Sequence, residues 1–130
     1  MKMIFFTTLI VSLLTVFSTR VSLLRATTKY GGFSKSCYSI SVQGRNNLKA
    51  LCKDHNSRII ESSVDLNKCI GNIEGKLTAQ SGGYTQSTRN CAFKRGSILF
   101  CECRTSQGKY KRSNINLNSL VGNINGILKC

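Results

Sequence analysis

The chain has 130 residues, with 19 Lys or Arg against five Asp or Glu, so its formal charge at pH 7 is +14. Hydrophobic residues make up 41% of the chain, which is enough for a globular core. The single histidine and the few carboxylates exclude a two-histidine metal site, paired-histidine acid–base chemistry and a multi-carboxylate cation site. We therefore expect no metal and no cofactor.

The first segment has the features of a secretory signal peptide. Lys2 precedes an apolar run over residues 3–17, which is too short to cross a bilayer comfortably. Cleavage after Ser18 or after Ala26 fits the small-residue rule, and the second is preferred; the alternative is a retained signal anchor. We expect a signal peptide and leader over residues 1–26, an extension over residues 27–32, and a secreted, extracellular mature chain without a transmembrane segment.

The mature sequence repeats itself at a constant offset. Residues 64–77 (VDLNKCIGNIEGKL) return as residues 115–128 (INLNSLVGNINGIL), and two residues that this offset relates are called equivalent. The domain over residues 33–130 is therefore predicted to consist of two repeats, near 33–80 and 84–130. Neither repeat is large enough to bury much surface alone, so we expect the two to share one core.

All seven cysteines lie in this mature part: Cys37, Cys52, Cys69, Cys91, Cys101, Cys103 and Cys130. In an oxidising compartment most of them should form disulfides, and the odd number leaves one thiol over. A zinc site at Cys101-x-Cys103 is disfavoured, because the spacing is not C-x-x-C and no second close pair exists. The first cysteines of the two repeats, Cys37 and Cys91, are out of step by three residues, which predicts a shorter loop between the first two strands of the second repeat.

Each repeat shows the patterns of β structure. Apolar and polar residues alternate over residues 38–42, as in a half-buried strand. The next strand of each repeat places alternate apolar residues on one face, over residues 48–52 and 99–103. Asp65 and Asn116 are expected to cap short helical turns, since their side chains accept hydrogen bonds from free backbone amides.

Two hairpin signals follow these caps. Glu74-Gly75 and Asn125-Gly126 stand between apolar residues at the same place in each repeat. A type I′ turn needs positive φ at both of its central positions, and Asn-Gly is a strong signal for it. Each repeat is therefore predicted to end in a β-hairpin.

A set of motifs covers nearly the whole mature chain in order. The motifs are Phe33–Tyr38, Gln43-Gly44, Asp65–Asn67, Gly71–Leu77, Glu102–Thr105, Ile115–Asn118 and Asn123–Gly126. With them the chain resembles the cyanovirin-N homology family of small mannose-binding lectins. The resemblance implies an all-β fold of two pseudo-symmetric, intertwined modules, each a three-stranded sheet plus a hairpin taken from the other repeat. It also implies a non-enzymatic, secreted lectin that binds mannose-type oligosaccharides through one shallow pocket per module.

The resemblance further implies two disulfides. They are Cys37–Cys52 and Cys91–Cys103. Among the extra cysteines, Cys69 aligns with Leu120 of the other repeat and Cys101 with Ala50, both apolar. If Leu120 and Ala50 touch, symmetry predicts a third disulfide, Cys69–Cys101. Cys130 would then remain at the terminus, where it could join two chains.

By the same resemblance, two sets of residues form the glycan pockets. The first set is Lys35, Ser36, Lys53, Asp54, His55, Asn56, Asn123, Ile124 and Asn125. The second set is Gln86, Arg89, Asn90, Arg104, Thr105, Ser106, Asn72, Ile73 and Glu74. Short side chains that donate and accept at fixed spacing suit pairs of sugar hydroxyls. The alternative for the hairpin residues is turn formation without a ligand, and the alternative for His55 is a solvated loop residue.

The charge supports a different class of function. Several basic residues cluster in the second repeat: Lys94, Arg95, Arg104, Lys109, Lys111 and Arg112. A cationic secreted protein could bind acidic polysaccharide, a membrane or nucleic acid through such a surface, or the charges could merely protect a strand edge. An enzyme is disfavoured, because the one histidine gives no triad signature. A monomer, a half-exchanged dimer and a disulfide-linked dimer all remain open.

Overall fold

The computed structural model describes residues 30–79 and 82–130. The predicted signal peptide and leader over residues 1–26 lie outside the described residues. Ten strands are described: β1 Cys37–Gln43, β2 Asn47–Lys53, β3 Ile59–Asp65, β4 Ile70–Ile73, β5 Lys76–Ala79, β6 Thr88–Lys94, β7 Ile98–Arg104, β8 Tyr110–Asn116, β9 Gly122–Ile124 and β10 Ile127–Lys129. Four short 3-10 turns complete the described elements: Phe33–Lys35, Leu66–Lys68, Tyr84–Ser87 and Leu117–Ser119.

The strands form two antiparallel three-stranded sheets and two hairpins. The sheets have the orders β1-β2-β3 and β6-β7-β8, and the hairpins are β4-β5 and β9-β10. Each strand of the second sheet begins and ends at the residues equivalent to the ends of its counterpart in the first. The all-β fold and its internal repeat are therefore confirmed.

Each hairpin packs on the sheet of the other repeat. Strand β10 contacts β3, and β5 contacts β8. The same hydrogen bond fixes both contacts: the Leu128 amide donates to Ser62 Oγ, and the Leu77 amide donates to Ser113 Oγ, each at 2.9 Å. The two modules are thus intertwined, as the sequence resemblance implies.

The core draws its largest side chains in equivalent pairs from the two repeats. Phe33 and Tyr84 are fully buried at equivalent positions, as are Leu48 and Leu99. All belong to a single hydrophobic cluster that includes residues of both repeats. Burial raises the pKa of Tyr84 to about 12, and its hydroxyl donates to a backbone carbonyl. Because both repeats contribute side chains to this core, neither repeat could form it alone.

The predicted caps and turns form as expected. The side chain of Asp65 accepts from the Asn67 amide at 2.9 Å, and that of Asn116 accepts from the Asn118 amide at 3.0 Å. At the two hairpin tips φ is positive at both central residues: 49° and 86° at Glu74-Gly75, and 52° and 90° at Asn125-Gly126. These are the backbone conformations that type I′ turns require.

The structure corrects one implied disulfide. Cys37 bonds Cys52 as expected, but Cys91 bonds Cys101 instead of Cys103. The residue that faces Cys103 across the sheet, as Cys37 faces Cys52, is Thr88. The first cysteine of the second repeat, Cys91, therefore lies three residues later in its strand than Cys37 does in the first repeat. The predicted shorter loop is wrong, since residues 44–46 and 95–97 join their strands with equal length.

The predicted third disulfide is also wrong. Cys69 bonds Cys130, with 5.8 Å between the two Cα atoms, so Cys130 is not free to join two chains. In the other repeat, Leu120 is equivalent to Cys69 and Ala79 is equivalent to Cys130, and both are apolar. The prediction instead paired Leu120 with Ala50, the residue equivalent to Cys101. The remaining thiol is Cys103, which is buried, and burial raises its pKa. The disulfide from Cys69 to Cys130 joins the two repeats covalently.

Candidate functional site

The first candidate site lies where the β9-β10 hairpin meets the sheet of the first repeat. The amide nitrogen of Asn123 donates to Ser36 Oγ at 2.8 Å and to the Lys53 carbonyl at 2.9 Å. Its oxygen accepts from the Gly126 amide at 2.7 Å. One side chain therefore holds the hairpin turn closed and fixes it to the other repeat at two points, directly before β1 and at the end of β2.

The loop after β2 completes this first site. The His55 amide donates to the side-chain oxygen of Asn125 at the hairpin tip, at 2.8 Å. Asp54 is buried, and its carboxylate accepts from the amides of Asn56 and Arg58 and from the Arg58 guanidinium. Burial opposes the ionised form, but these hydrogen bonds outweigh it and lower the pKa of Asp54. The structure thus places this carboxylate inside the loop, where it shapes the site, and not at the loop surface.

The second candidate site repeats this arrangement at equivalent positions. The amide nitrogen of Asn72 donates to Ser87 Oγ at 2.9 Å and to the Arg104 carbonyl at 2.8 Å. Its oxygen accepts from the Gly75 amide at 2.9 Å. These residues stand in the positions of Asn123, Ser36, Lys53 and Gly126. Ser87 was missed by the sequence reasoning, although it is the residue equivalent to Ser36.

The two sites differ at the hairpin tip. Glu74 stands where the first site has Asn125, and its carboxylate accepts from the Ser106 hydroxyl at 2.8 Å and from the Ser106 amide at 3.1 Å. Thr105 stands where the first site has Asp54, and its hydroxyl accepts from the Lys109 amide at 3.3 Å. The second site therefore presents an anionic oxygen beside the loop, whereas the first presents a neutral amide.

Both sites are open at the protein surface. The apolar side chain at each hairpin tip is largely exposed, with 57% of Ile73 and 47% of Ile124 accessible. Other predicted site residues are exposed around the two tips: Lys35, Lys53, His55, Gln86, Arg104 and Ser106. The arrangement offers polar groups held on a rigid turn, with an apolar contact beside them.

Arg89 and Asn90 lie in strand β6. Because the first cysteine of the second repeat comes three residues later than in the first repeat, these two side chains stand where Tyr38 and Ser39 stand in the first repeat. Both bond Glu102, at 2.9 and 3.3 Å. The bonds from Arg89 and Asn90 lower the pKa of Glu102.

Within residues 30–79 and 82–130, no group of three or more His, Cys, Asp or Glu side chains is placed to hold a metal ion. Over the same ranges no helix is long and apolar enough to cross a bilayer. The polar groups of the two sites are amides, hydroxyls, backbone atoms and the carboxylates of Asp54 and Glu74, with basic side chains exposed around them. Such groups can recognise a neutral polar ligand through hydrogen bonds.

Comparisons with known proteins agree with this architecture. The CVNH domain model matches residues 33–129. A cyanovirin-N homolog from Tuber borchii is 29% identical over 92 residues, which are 69% of this chain and 88% of the relative.

Solved structures show the same fold. The microvirin–mannobiose complex is 28% identical with a TM-score of 0.66, and covers 76% of this chain and 97% of microvirin. The MoCVNH3 variant Mo0v in complex with (N-GlcNAc)4 has a TM-score of 0.71 at 22% identity, with 80% and 99% of the two chains covered. The second likeness concerns the fold alone.

Proposed function

The chain belongs to the CVNH family, a family of carbohydrate-binding lectins and not of enzymes, and from this membership we propose that it is a secreted lectin. Each module binds a mannose-type oligosaccharide at the hairpin-tip site described above. The observation that carries the proposal is the repeated clamp, in which Asn123 and Asn72 fix equivalent hairpins to equivalent loops. A rigid, twice-repeated polar surface suits two copies of one small ligand.

The chemistry of the two sites supports a neutral sugar. The side-chain amides of Asn72 and Asn123 are hydrogen-bonded within the protein. We therefore assign these two residues the role of positioning the site. The ligand contacts then fall to the groups around them, among which the Glu74 carboxylate can accept hydroxyl protons with charge assistance, and the Ser106 hydroxyl oxygen, whose own proton goes to Glu74, can also accept. Exposed Ile73 and Ile124 offer an apolar contact to the C–H face of a sugar ring. Specificity for mannose is supported by the 28% identity to microvirin, whose structure holds mannobiose.

Three disulfides support secretion, because disulfides form and persist in oxidising compartments. We propose that residues 1–26 are removed on export. Expression of the full chain in a secreting host, followed by N-terminal sequencing of the medium protein, tests this. A mature start at residue 27 supports the proposal, and retention of the whole chain in the cell membrane contradicts it.

A glycan array on the oxidised mature protein, run at low and at high salt, tests the lectin proposal. Binding to mannose-terminated glycans should resist salt, because ionic strength screens charge contacts and hardly affects hydrogen bonds to neutral hydroxyls. Asn72→Ala and Asn123→Ala should each remove one module's contribution, and the double variant should lose the signal. Binding that is unchanged in both variants would mean that the glycan binds at another site, and it would contradict the proposal.

A further inference from the structure

The second sheet has a concave surface on its outer face, apart from the hairpin tips. The concavity is open to solvent and has a volume of about 470 Å³ lined by β6, β7 and β8, within the range of about 300–1,000 Å³ that small-ligand sites occupy. The lining side chains that matter here are Asn90, Lys94, Phe100, Glu102, Arg112 and Asn114. Of these, the hairpin-tip proposal uses none.

Positive charge dominates this cavity. Lys94 and Arg112 line it and are exposed. The one lining carboxylate, Glu102, already pairs with Arg89 at 2.9 Å and faces Arg112 across the sheet. With Arg89 counted, three cations stand against one carboxylate at this surface, which leaves a net charge of two positive for an anionic ligand.

An aromatic ring lies beside these cations. Phe100 is partly exposed in the cavity, and the Lys94 ammonium lies 5.5 Å from its ring centre. A sugar ring has an apolar C–H face as well as polar edges, so a ring of this kind can pack on Phe100 while substituents on its edge reach Lys94 and Arg112. The geometry suits a saccharide that carries a charged group.

The first sheet provides an internal comparison on the same scaffold. The residues equivalent to Phe100 and Arg112 are Lys49 and Glu61, which form an ion pair at 2.8 Å. The position that corresponds to Lys94 is Gln43. The first sheet is therefore neutral at the matching surface, and the fold itself does not require the charge or the ring of the second sheet.

We propose that the outer face of the second sheet is a separate carbohydrate site for an acidic oligosaccharide, whose sulfate or carboxylate groups contact Lys94 and Arg112 while one sugar ring packs on Phe100. The concavity is limited to three strands, which favours a short saccharide. A nucleic acid backbone is extended and is normally bound by a long positively charged groove. The three disulfides favour a ligand met outside the cytosol. This site does not depend on the hairpin-tip sites.

NMR titration of the isotopically labelled, oxidised mature protein tests the proposal. The probes are a sulfated heparin hexasaccharide, a carboxylated oligogalacturonate of equal length and a single-stranded oligonucleotide. Shifts in the backbone signals of residues 90–94, 100–102 and 112–114 are expected with at least one saccharide, and the pair of saccharide probes distinguishes sulfate from carboxylate. Binding should weaken as salt rises.

Two double variants of equal charge locate the site. Lys94→Gln with Arg112→Gln should weaken saccharide binding about tenfold, since two charge contacts are lost. Lys49→Gln with Lys68→Gln, both in the first repeat, should change it by no more than about twofold. Equal losses in the two variants, shifts confined to the hairpin tips, or tighter binding of the oligonucleotide at the same residues would each overturn the proposal. Mannose binding at the hairpin tips is measured separately with Asn72→Ala and Asn123→Ala, so the two proposals fail independently.

Discussion

Asn123 donates a hydrogen bond of 2.8 Å to Ser36, a residue 87 positions earlier in the chain. The pseudo-symmetric bond joins Asn72 to Ser87 at 2.9 Å over only 15 positions. The same local contact thus connects very different lengths of chain, because each hairpin packs on the sheet of the other repeat. Each candidate binding site is assembled from both repeats, and neither half of the chain can form one alone.

Loss of a clamp asparagine should destabilise the fold as well as the site. In Asn123→Ala the amide of Gly126 and the hydroxyl of Ser36 lose their partner, and we expect a loss of about 1–2 kcal/mol in the free energy of unfolding. Asn72→Ala should cost a similar amount at the other hairpin. Urea unfolding measures both, with Asn56→Ala, an exposed side chain on the same loop as His55, as the control. Clamp variants as stable as this control would show that the bonds do not hold the hairpins.

Local signals in the sequence predicted the elements well. The caps at Asp65 and Asn116 and the two glycine turns each depend on a few neighbouring residues, and each forms as expected. The exchange of hairpins came from the family resemblance, because no local pattern distinguishes a hairpin packed on its own sheet from one packed on another.

The cysteine pairing was less predictable. Pairing depends on which residues face each other across strands, and a shift of Cys91 by three residues keeps the strand and loop lengths unchanged while it moves the bond to Cys101. The same shift explains why Arg89 and Asn90 take the positions of Tyr38 and Ser39 and bond Glu102. If the two repeats are aligned by their cysteines, Cys91 is matched to Cys37 and the shift is not visible. If they are aligned by the constant offset, Thr88 is matched to Cys37 and the shift of three residues can be seen.

Peptide mapping without reduction should therefore recover three bonds: Cys37–Cys52, Cys69–Cys130 and Cys91–Cys101. The native protein should resist alkylation, because the remaining thiol of Cys103 is buried and its pKa is raised by burial. One equivalent of label should enter after unfolding in denaturant, at Cys103. A peptide that links Cys91 to Cys103, or rapid labelling of the native protein, would contradict this assignment.

The hairpin glycines differ from other turn glycines in what surrounds them. A Cβ at Gly126 would lie 2.7 Å from Ile60 Cδ1, whereas one at Gly96 meets nothing within 4 Å; φ is positive at both positions. Gly96→Ala should therefore cost about 1 kcal/mol from backbone strain alone. Gly126→Ala should cost about 1–3 kcal/mol more from the added contact. Equal losses for the two variants, measured by urea unfolding, would show that the Ile60 side chain moves aside and that the added contact costs nothing.

Acid should destabilise the protein through carboxylates that are bonded in the folded state. The hydrogen bond from Asn46 holds the pKa of Asp65 below its ordinary value. Its contribution to stability is then complete above the unfolded pKa of about 3.9 and is lost as pH falls through the lower folded pKa.

Asp65→Asn isolates this contribution. The equivalent residue of the second repeat is Asn116, which caps its turn in the same way, so the variant keeps the cap and removes the titration. Unfolding free energies measured at several values from pH 2 to pH 6 should fall less steeply for the variant than for the parent chain. Identical slopes below pH 4 would show that Asp65 does not carry the effect.

The most direct test of the lectin proposal is an NMR titration of the mature protein with mannobiose, at low and at high salt. The proposal predicts shifts in two groups of signals, residues 53–56 with 123–126 and residues 104–106 with 72–75, and equal affinity at the two salt concentrations. A protein that shows no shifts at millimolar mannobiose, or shifts only on the outer face of the second sheet, would contradict it.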